Sequence, residues 1–156
     1  MSKKYELTDE TMEWEGHTLH RIKALRDFND VKAGDLGGWV ESEDNLSQYE
    51  KCWLCDNAIV YGDARIYGNA RIYGDARVCD NARIYDTKDY CIITGFGSRL
   101  SATTFFRCKD DEIRVNCGCF NGTLDEFRDK VKETHKDNKY AKEYLLAIDM
   151  VKVHFS

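Results

Sequence analysis

Residues 54–85 read in sixes: Leu54-Cys-Asp-Asn-Ala-Ile, Val60-Tyr-Gly-Asp-Ala-Arg, Ile66-Tyr-Gly-Asn-Ala-Arg, Ile72-Tyr-Gly-Asp-Ala-Arg, Val78-Cys-Asp-Asn-Ala-Arg, and then Ile84-Tyr. Side chains of an extended backbone alternate between two faces. Each Ala-Arg-Ile-Tyr therefore puts the small and aliphatic residues on one side and Arg and Tyr on the other. The pair that follows, Gly-Asp, Gly-Asn or Asp-Asn, is made of residue types that tolerate positive φ, so it turns a corner. A short strand and a corner every six residues build a coil. The corner residues Asn57, Asp63, Asn69, Asp75 and Asn81 decide how many sixes close it. Two sixes would stack Asp63 on Asp75 at about 4.8 Å, acid upon acid. Three sixes stack residues 18 apart, Asn57 with Asp75 and Asp63 with Asn81, pairs that can hydrogen-bond. Three-sided coils are expected, with Tyr67 over Tyr85 and Arg65 over Arg83 outside, and with the alanines and Val60, Ile66, Val78 and Ile84 inside.

Composition agrees with corners of this kind. The 156 residues include no proline, against 11 Gly, 9 Tyr and 7 Cys. A hydrophobic fraction of 42% with 12% aromatics supports a core and excludes wholesale disorder. The net charge of −5 is N-terminal, because residues 1–50 carry six basic and twelve acidic groups while the other segments nearly balance. Without a basic excess or patch, nucleic acid is not an expected partner. No apolar run is long enough for a membrane span, and the polar start is unlike a signal peptide, so a cytoplasmic protein is expected. Seven cysteines without framework spacing fit a reducing compartment.

Residues 54–86 resemble the hexapeptide-repeat proteins, whose pattern is an aliphatic residue, two or three turn residues and a small residue. The resemblance implies a left-handed parallel β-helix; the hand comes from it alone. The whole chain is similar to a group of phage and prophage proteins labelled transferases or polymer-forming proteins. In that group Lys4-Tyr5-Glu6-Leu7-Thr8, Gly34-Asp35-Leu36-Gly37-Gly38-Trp39-Val40-Glu41 and Asn45-Leu46-Ser47 look like the lead-in to the first coils. The expected fold is mainly β: an N-terminal β-hairpin cap over 1–35, a short β-helix over 36–94, and over 95–156 an α+β cap of a hairpin and two helices. Glu13 to Ile22 reads as two strands around Glu15-Gly16, covering a β edge that would otherwise invite aggregation. Thr103–Cys108 and Ile113–Phe120 read as a hairpin. Thr123-Leu-Asp-Glu126 reads as a capping box opening a helix with Leu124, Phe127 and Val131 on one face. A second helix is expected from Tyr140 to His154.

Hexapeptide acyltransferases generally use a histidine at a subunit interface as base, with acyl-coenzyme A along the coils. Here His17, His20, His135 and His154 all lie outside the repeat, and few coils are available. No catalytic residue and no cofactor is therefore assigned. Cys52 and Cys55 should face opposite ways, and Cys117-Gly-Cys119 has no second pair at ligand spacing, so no metal site is expected. The most suggestive surface is the outer ladder of Tyr61, Tyr67, Tyr73 and Tyr85 with Arg65, Arg71, Arg77 and Arg83, types enriched at binding hot spots. It points to a homo-oligomer that acts by binding; the resemblance implies a trimer and, with its phage members, a host protein as the target and antagonism of a host defence system as the role. The alternative reading is capture of a small, nucleotide-like anion by Ser98, Arg99, Thr103, Thr104, Arg107 and His135; acyl transfer is the third.

Overall fold

A computed structural model describes residues 2–156. The chain forms two compact units that divide between Thr87 and Lys88. The expected end of the β-helix at residue 94 is therefore corrected: Tyr90–Ile93 is a strand of the second unit, paired antiparallel with Thr103–Arg107.

In the first unit, β1 (Tyr5–Trp14) and β2 (His17–Ala24) form a hairpin, and β3 (Leu36–Val40) follows. Then come six two-residue strands: β4 (Trp53–Leu54), β5 (Ile59–Val60), β6 (Arg65–Ile66), β7 (Arg71–Ile72), β8 (Arg77–Val78) and β9 (Arg83–Ile84). They stack in parallel on three faces: β3, β5 and β8 on the first, β4 and β7 on the second, and β6 and β9 on the third, where Leu46 bridges Ile66. Trp53 pairs with Arg71, Ile59 with Arg77 and Arg65 with Arg83, so the register is the expected 18 residues. Between the first coil and the second it is 20 on the first and third faces, Trp39 with Ile59 and Leu46 with Ile66, because two extra residues stand in 47–51, before the chain reaches the second face at Trp53. Three coils result.

The inside of the stack is a column of aliphatic residues with a column of small ones beside it. Val40, Leu46, Leu54, Val60, Ile66, Ile72, Val78 and Ile84 are fully buried, as are Ala58, Ala64, Ala70, Ala76 and Ala82. Cys52 takes an alanine place in the first coil and Gly38 another, where an added Cβ would run into the Ala58 carbonyl. The corners need positive φ at their first residue, and Asp56 (52°), Gly62 (67°), Gly68 (60°), Gly74 (62°) and Asp80 (57°) supply it. Bonds from backbone N–H to carboxylate tie corners of successive coils, Gly74 N to Asp56 Oδ2 at 2.9 Å and Gly62 N to Glu41 Oε1 at 2.9 Å.

The lead-in is only partly as expected. Within residues 34–41, β3 enters the first coil, and Asn45 and Leu46 turn onto its third face, but Tyr5–Thr8 belong to β1, where Tyr5, Glu6 and Leu7 pair with β2 before the register breaks. The hairpin is therefore longer than residues 13–22. Its tip lies on the outside of the first face: the Arg77 guanidinium sits 4.2 Å from the Trp14 ring centroid and the His17 ring 4.8 Å from that of Tyr61.

In the second unit, β10 (Tyr90–Ile93), β11 (Thr103–Arg107), β12 (Ile113–Cys117) and β13 (Phe120–Thr123) make an antiparallel sheet in chain order. The second hairpin strand stops three residues before the expected Phe120, since Gly118 turns the chain and Phe120 starts the return strand. Thr123 caps α1 (Leu124–His135): its hydroxyl accepts from Glu126 N, and the Glu126 carboxylate accepts from Thr123 N at 2.9 Å. Phe127 and Val131 of α1 pack with Tyr144, Ile148 and Val151 of α2 (Lys139–His154) and with Phe105 and Val115 of the sheet. No helix among the described residues is long and apolar enough to cross a membrane.

Candidate functional site

The three outer faces of the stack are built from equivalent sequence positions but differ in what covers them. On the first, Tyr61 is 5% exposed, and its hydroxyl donates to Glu15 Oε2 at 3.3 Å. The expectation of Tyr61 on an open ladder is thus corrected, because the tip of the chain's own hairpin lies over it. Arg77 is held on the same face by Trp14. On the second face Arg71 pairs with Asp30 at 2.8 Å, and Phe28 meets Trp53 edge-on at 5.2 Å, so the 25–35 segment covers the coil beside Cys55. Tyr73 remains 47% exposed there.

The third face has no such cover. Tyr67 and Tyr85 stack with centroids 4.8 Å apart and planes 14° from parallel, and Tyr85 is 59% exposed. Asp63 neutralises the arginines in register beside them, with Arg83 Nη2 at 3.1 Å and Arg65 Nη2 at 3.6 Å. Tyr49, 61% exposed, stands on the rim of a groove of about 550 Å³ lined also by Glu43, Asp44, Glu50, Arg65 and Tyr67. Large aromatic rings with polar tips, carried on a rigid backbone, can be buried against a partner at little entropic cost.

One constellation escapes a reading of the sequence. His17 Nδ1 lies 2.7 Å from Glu41 Oε2 on the first face, beside Tyr61. Burial tends to raise the Glu41 carboxyl, but bonds from His17 and from the Gly62 N–H outweigh it and hold the group below its ordinary value. The two residues are 24 apart and His17 stands outside the repeat, so only the fold-back of the hairpin joins them. No local signal could have found the pair.

The predicted anion set is partly assembled, in the second unit. Ser98 Oγ and His135 Nε2 are 3.3 Å apart, and with Arg99 they line a cavity of about 200 Å³. Thr103, Thr104 and Arg107 do not join them. Both threonines are buried in the sheet, Thr103 donating to Cys117 Sγ at 3.3 Å. Arg107 pairs with Asp89 at 3.3 Å and Asp111 at 3.6 Å, its guanidinium lies 5.3 Å from the Phe155 ring centroid, and it is not among the residues that line the cavity. The strand β11 alternates, so residues adjacent in its sequence cannot all serve one site. Lys130 and Thr134 line the cavity without having been anticipated. The helical spacing of Phe127, Lys130, Val131, Thr134 and His135 was the available signal.

Comparison with known proteins places the repeat. The family model described as the YdcK beta solenoid repeat matches residues 64–79. A protein of Escherichia coli (strain K12) named "Uncharacterized acetyltransferase YdcK" is 51% identical over 47 residues. Those residues are 30% of this chain and 14% of that protein, so the match spans about a seventh of the relative's length.

Proposed function

We propose that this protein, whose coils belong to the hexapeptide-repeat β-helix family, acts by binding through its third face, and that the first occupant of that face is another copy of itself. One observation carries the reading: Tyr85 and Tyr49 are left exposed on a rigid face, with the half-buried Tyr67 stacked against Tyr85, while the equivalent first-face position is already filled by the chain's own hairpin. An exposed aromatic surface of this sort is a mark of association. A trimer is the expected assembly, and a host protein is the proposed target of whatever aromatic surface the assembly leaves open. Light scattering should give the mass of an oligomer for the wild type and a smaller mass for Tyr67→Ala with Tyr85→Ala, with Tyr73→Ala unchanged. A wild-type protein that stays monomeric at its highest soluble concentration ends the self-association reading.

The His17–Glu41 pair favours a second reading, acyl transfer. A carboxylate on Nδ1 fixes the ring and leaves Nε2 to take a proton from an acceptor. If this is the activity, saturating acetyl-coenzyme A should stabilise the fold, by about 2.7 kcal/mol at a hundred times its dissociation constant. His17→Gln should then abolish transfer while leaving that stabilisation in place. No rise in Tm with acetyl-coenzyme A removes this reading and leaves the binding one.

A further inference from the structure

We infer that the cavity of the second unit is a binding site for a small organic carboxylate with one apolar ring. This goes beyond the assembly reading and does not depend on it, since every residue of the site lies between Lys88 and Ser156.

Size comes first. About 200 Å³ is the liquid volume of roughly seven waters at about 30 Å³ each. That fits a single ring. The lining then sets polarity. Phe120, Phe127, Val131 and Tyr144 make an apolar floor, whereas Ser98, Arg99, Lys130, Thr134 and His135 put donors at the mouth. No carboxylate lines it.

The arginine identifies the charge. In this acidic chain at least seven of the ten arginines have a carboxylate within ion-pair distance, and Arg77 lies on an indole. Arg99 has no acidic partner among the described residues. It lies along the Gly118 turn, where an added Cβ would come within 2.6 Å of Arg99 Nε, so the bare backbone seats it. The His135 ring lies nearly parallel to Tyr144, 18° apart with centroids at 5.7 Å, and its Nε2 faces Ser98 Oγ. Arg99, Ser98 and His135 thus meet a ligand's charged end, and the rings below meet its body. Bonds from charged donors are the stronger class, so charge should dominate selectivity.

Benzoate is the probe, read by calorimetry and by chemical shifts on the intact protein. Benzoate should bind, and benzamide, which keeps the shape without the charge, should be at least tenfold weaker, on the order expected for losing one charge-assisted bond. Acetate, with the charge and no ring, should be weaker likewise. Arg99→Gln, at an exposed position, should weaken benzoate by roughly tenfold at unchanged Tm. Thr134→Trp, which fills the mouth, should abolish binding. Benzamide binding as tightly as benzoate, Arg99→Gln binding at wild-type strength, or no benzoate binding at millimolar concentration would each overturn the assignment.

Discussion

Ile66→Ala is expected to lower the stability of the first unit by about 2–5 kcal/mol, the range for emptying a buried aliphatic site. Ile66 is fully buried in the middle coil, between Leu46 below and Ile84 above. The cost should lie high in that range because the coils cannot close over the hole. Their spacing is fixed by backbone bonds on the same face, Ser47 N to Ile66 O at 2.9 Å and Tyr67 N to Ile84 O at 2.8 Å. A solenoid also draws its stability from nearest-neighbour contacts, and a stack of three coils has only one coil with two neighbours. All three tryptophans, Trp14, Trp39 and Trp53, lie in this unit, so urea unfolding followed by tryptophan fluorescence reports on it alone. A loss below about 1 kcal/mol would mean that the stack relaxes inward and that its interior is not the rigid column described.

Lys4→Met comes next in size, with an expected loss of about 1–3 kcal/mol for stranding buried acceptors. Lys4 is fully buried, and its ammonium donates to Cys52 O at 2.7 Å and Tyr49 O at 3.3 Å, beside Cys52 Sγ and the Phe28 ring. It satisfies carbonyls of the 49–52 loop, where the first coil departs from the six-residue rule. Methionine keeps the buried stem and removes the donor. The pH dependence gives a second readout. Burial pushes the Lys4 amine below its ordinary 10.5; Cys52 and Glu50 draw it back up, and Arg26 adds to the fall. Between that lowered value and 10.5 the unfolded chain binds more protons at this site than the folded one, so this contribution to stability grows as pH rises. Burial raises the thiol of Cys52 and the phenol of Tyr5, and these act in the opposite sense at alkaline pH. Both proteins carry them, however. The stability gap between wild type and Lys4→Met should therefore widen from neutral pH towards about 10. A gap that narrows would mean that Lys4 is not buried as described.

The repeat was legible because its physics is local. Period two within a strand, residues tolerant of positive φ at each corner, and the stacking of acid on amide at eighteen gave the three faces and the register of Tyr67 on Tyr85. The capping box at Thr123 was readable for the same reason: both partners lie within one helical turn. The failures share an opposite cause. Tyr61 stands in nearly the same hexapeptide as Tyr67, Val-Tyr-Gly-Asp-Ala-Arg against Ile-Tyr-Gly-Asn-Ala-Arg, and nothing in it says that His17 and Glu15, more than forty residues away, will cover it. Arg107 stands close to Arg99 along the chain, but its acid partner Asp89 comes from before the loop. The boundary at Thr87 has no signal in sequence because Tyr90–Ile93 looks as apolar as a coil strand, and only its antiparallel partner tells them apart.

The three-residue-face geometry also limits how this gene can change length. Each six residues advance the chain by a third of a turn, and each eighteen return it to the same face. Loss or duplication of one hexapeptide upstream of Tyr67 would keep the inward aliphatic pattern intact but rotate everything downstream, presenting a different tyrosine to the hairpin tip and moving the Tyr67–Tyr85 stack to another side. Loss or gain of eighteen would leave every face in place and alter only the height of the stack. Inherited insertions and deletions in this segment should then be tolerated in whole coils, while the unit that repeats by eye, the six, is the one whose copy number cannot drift.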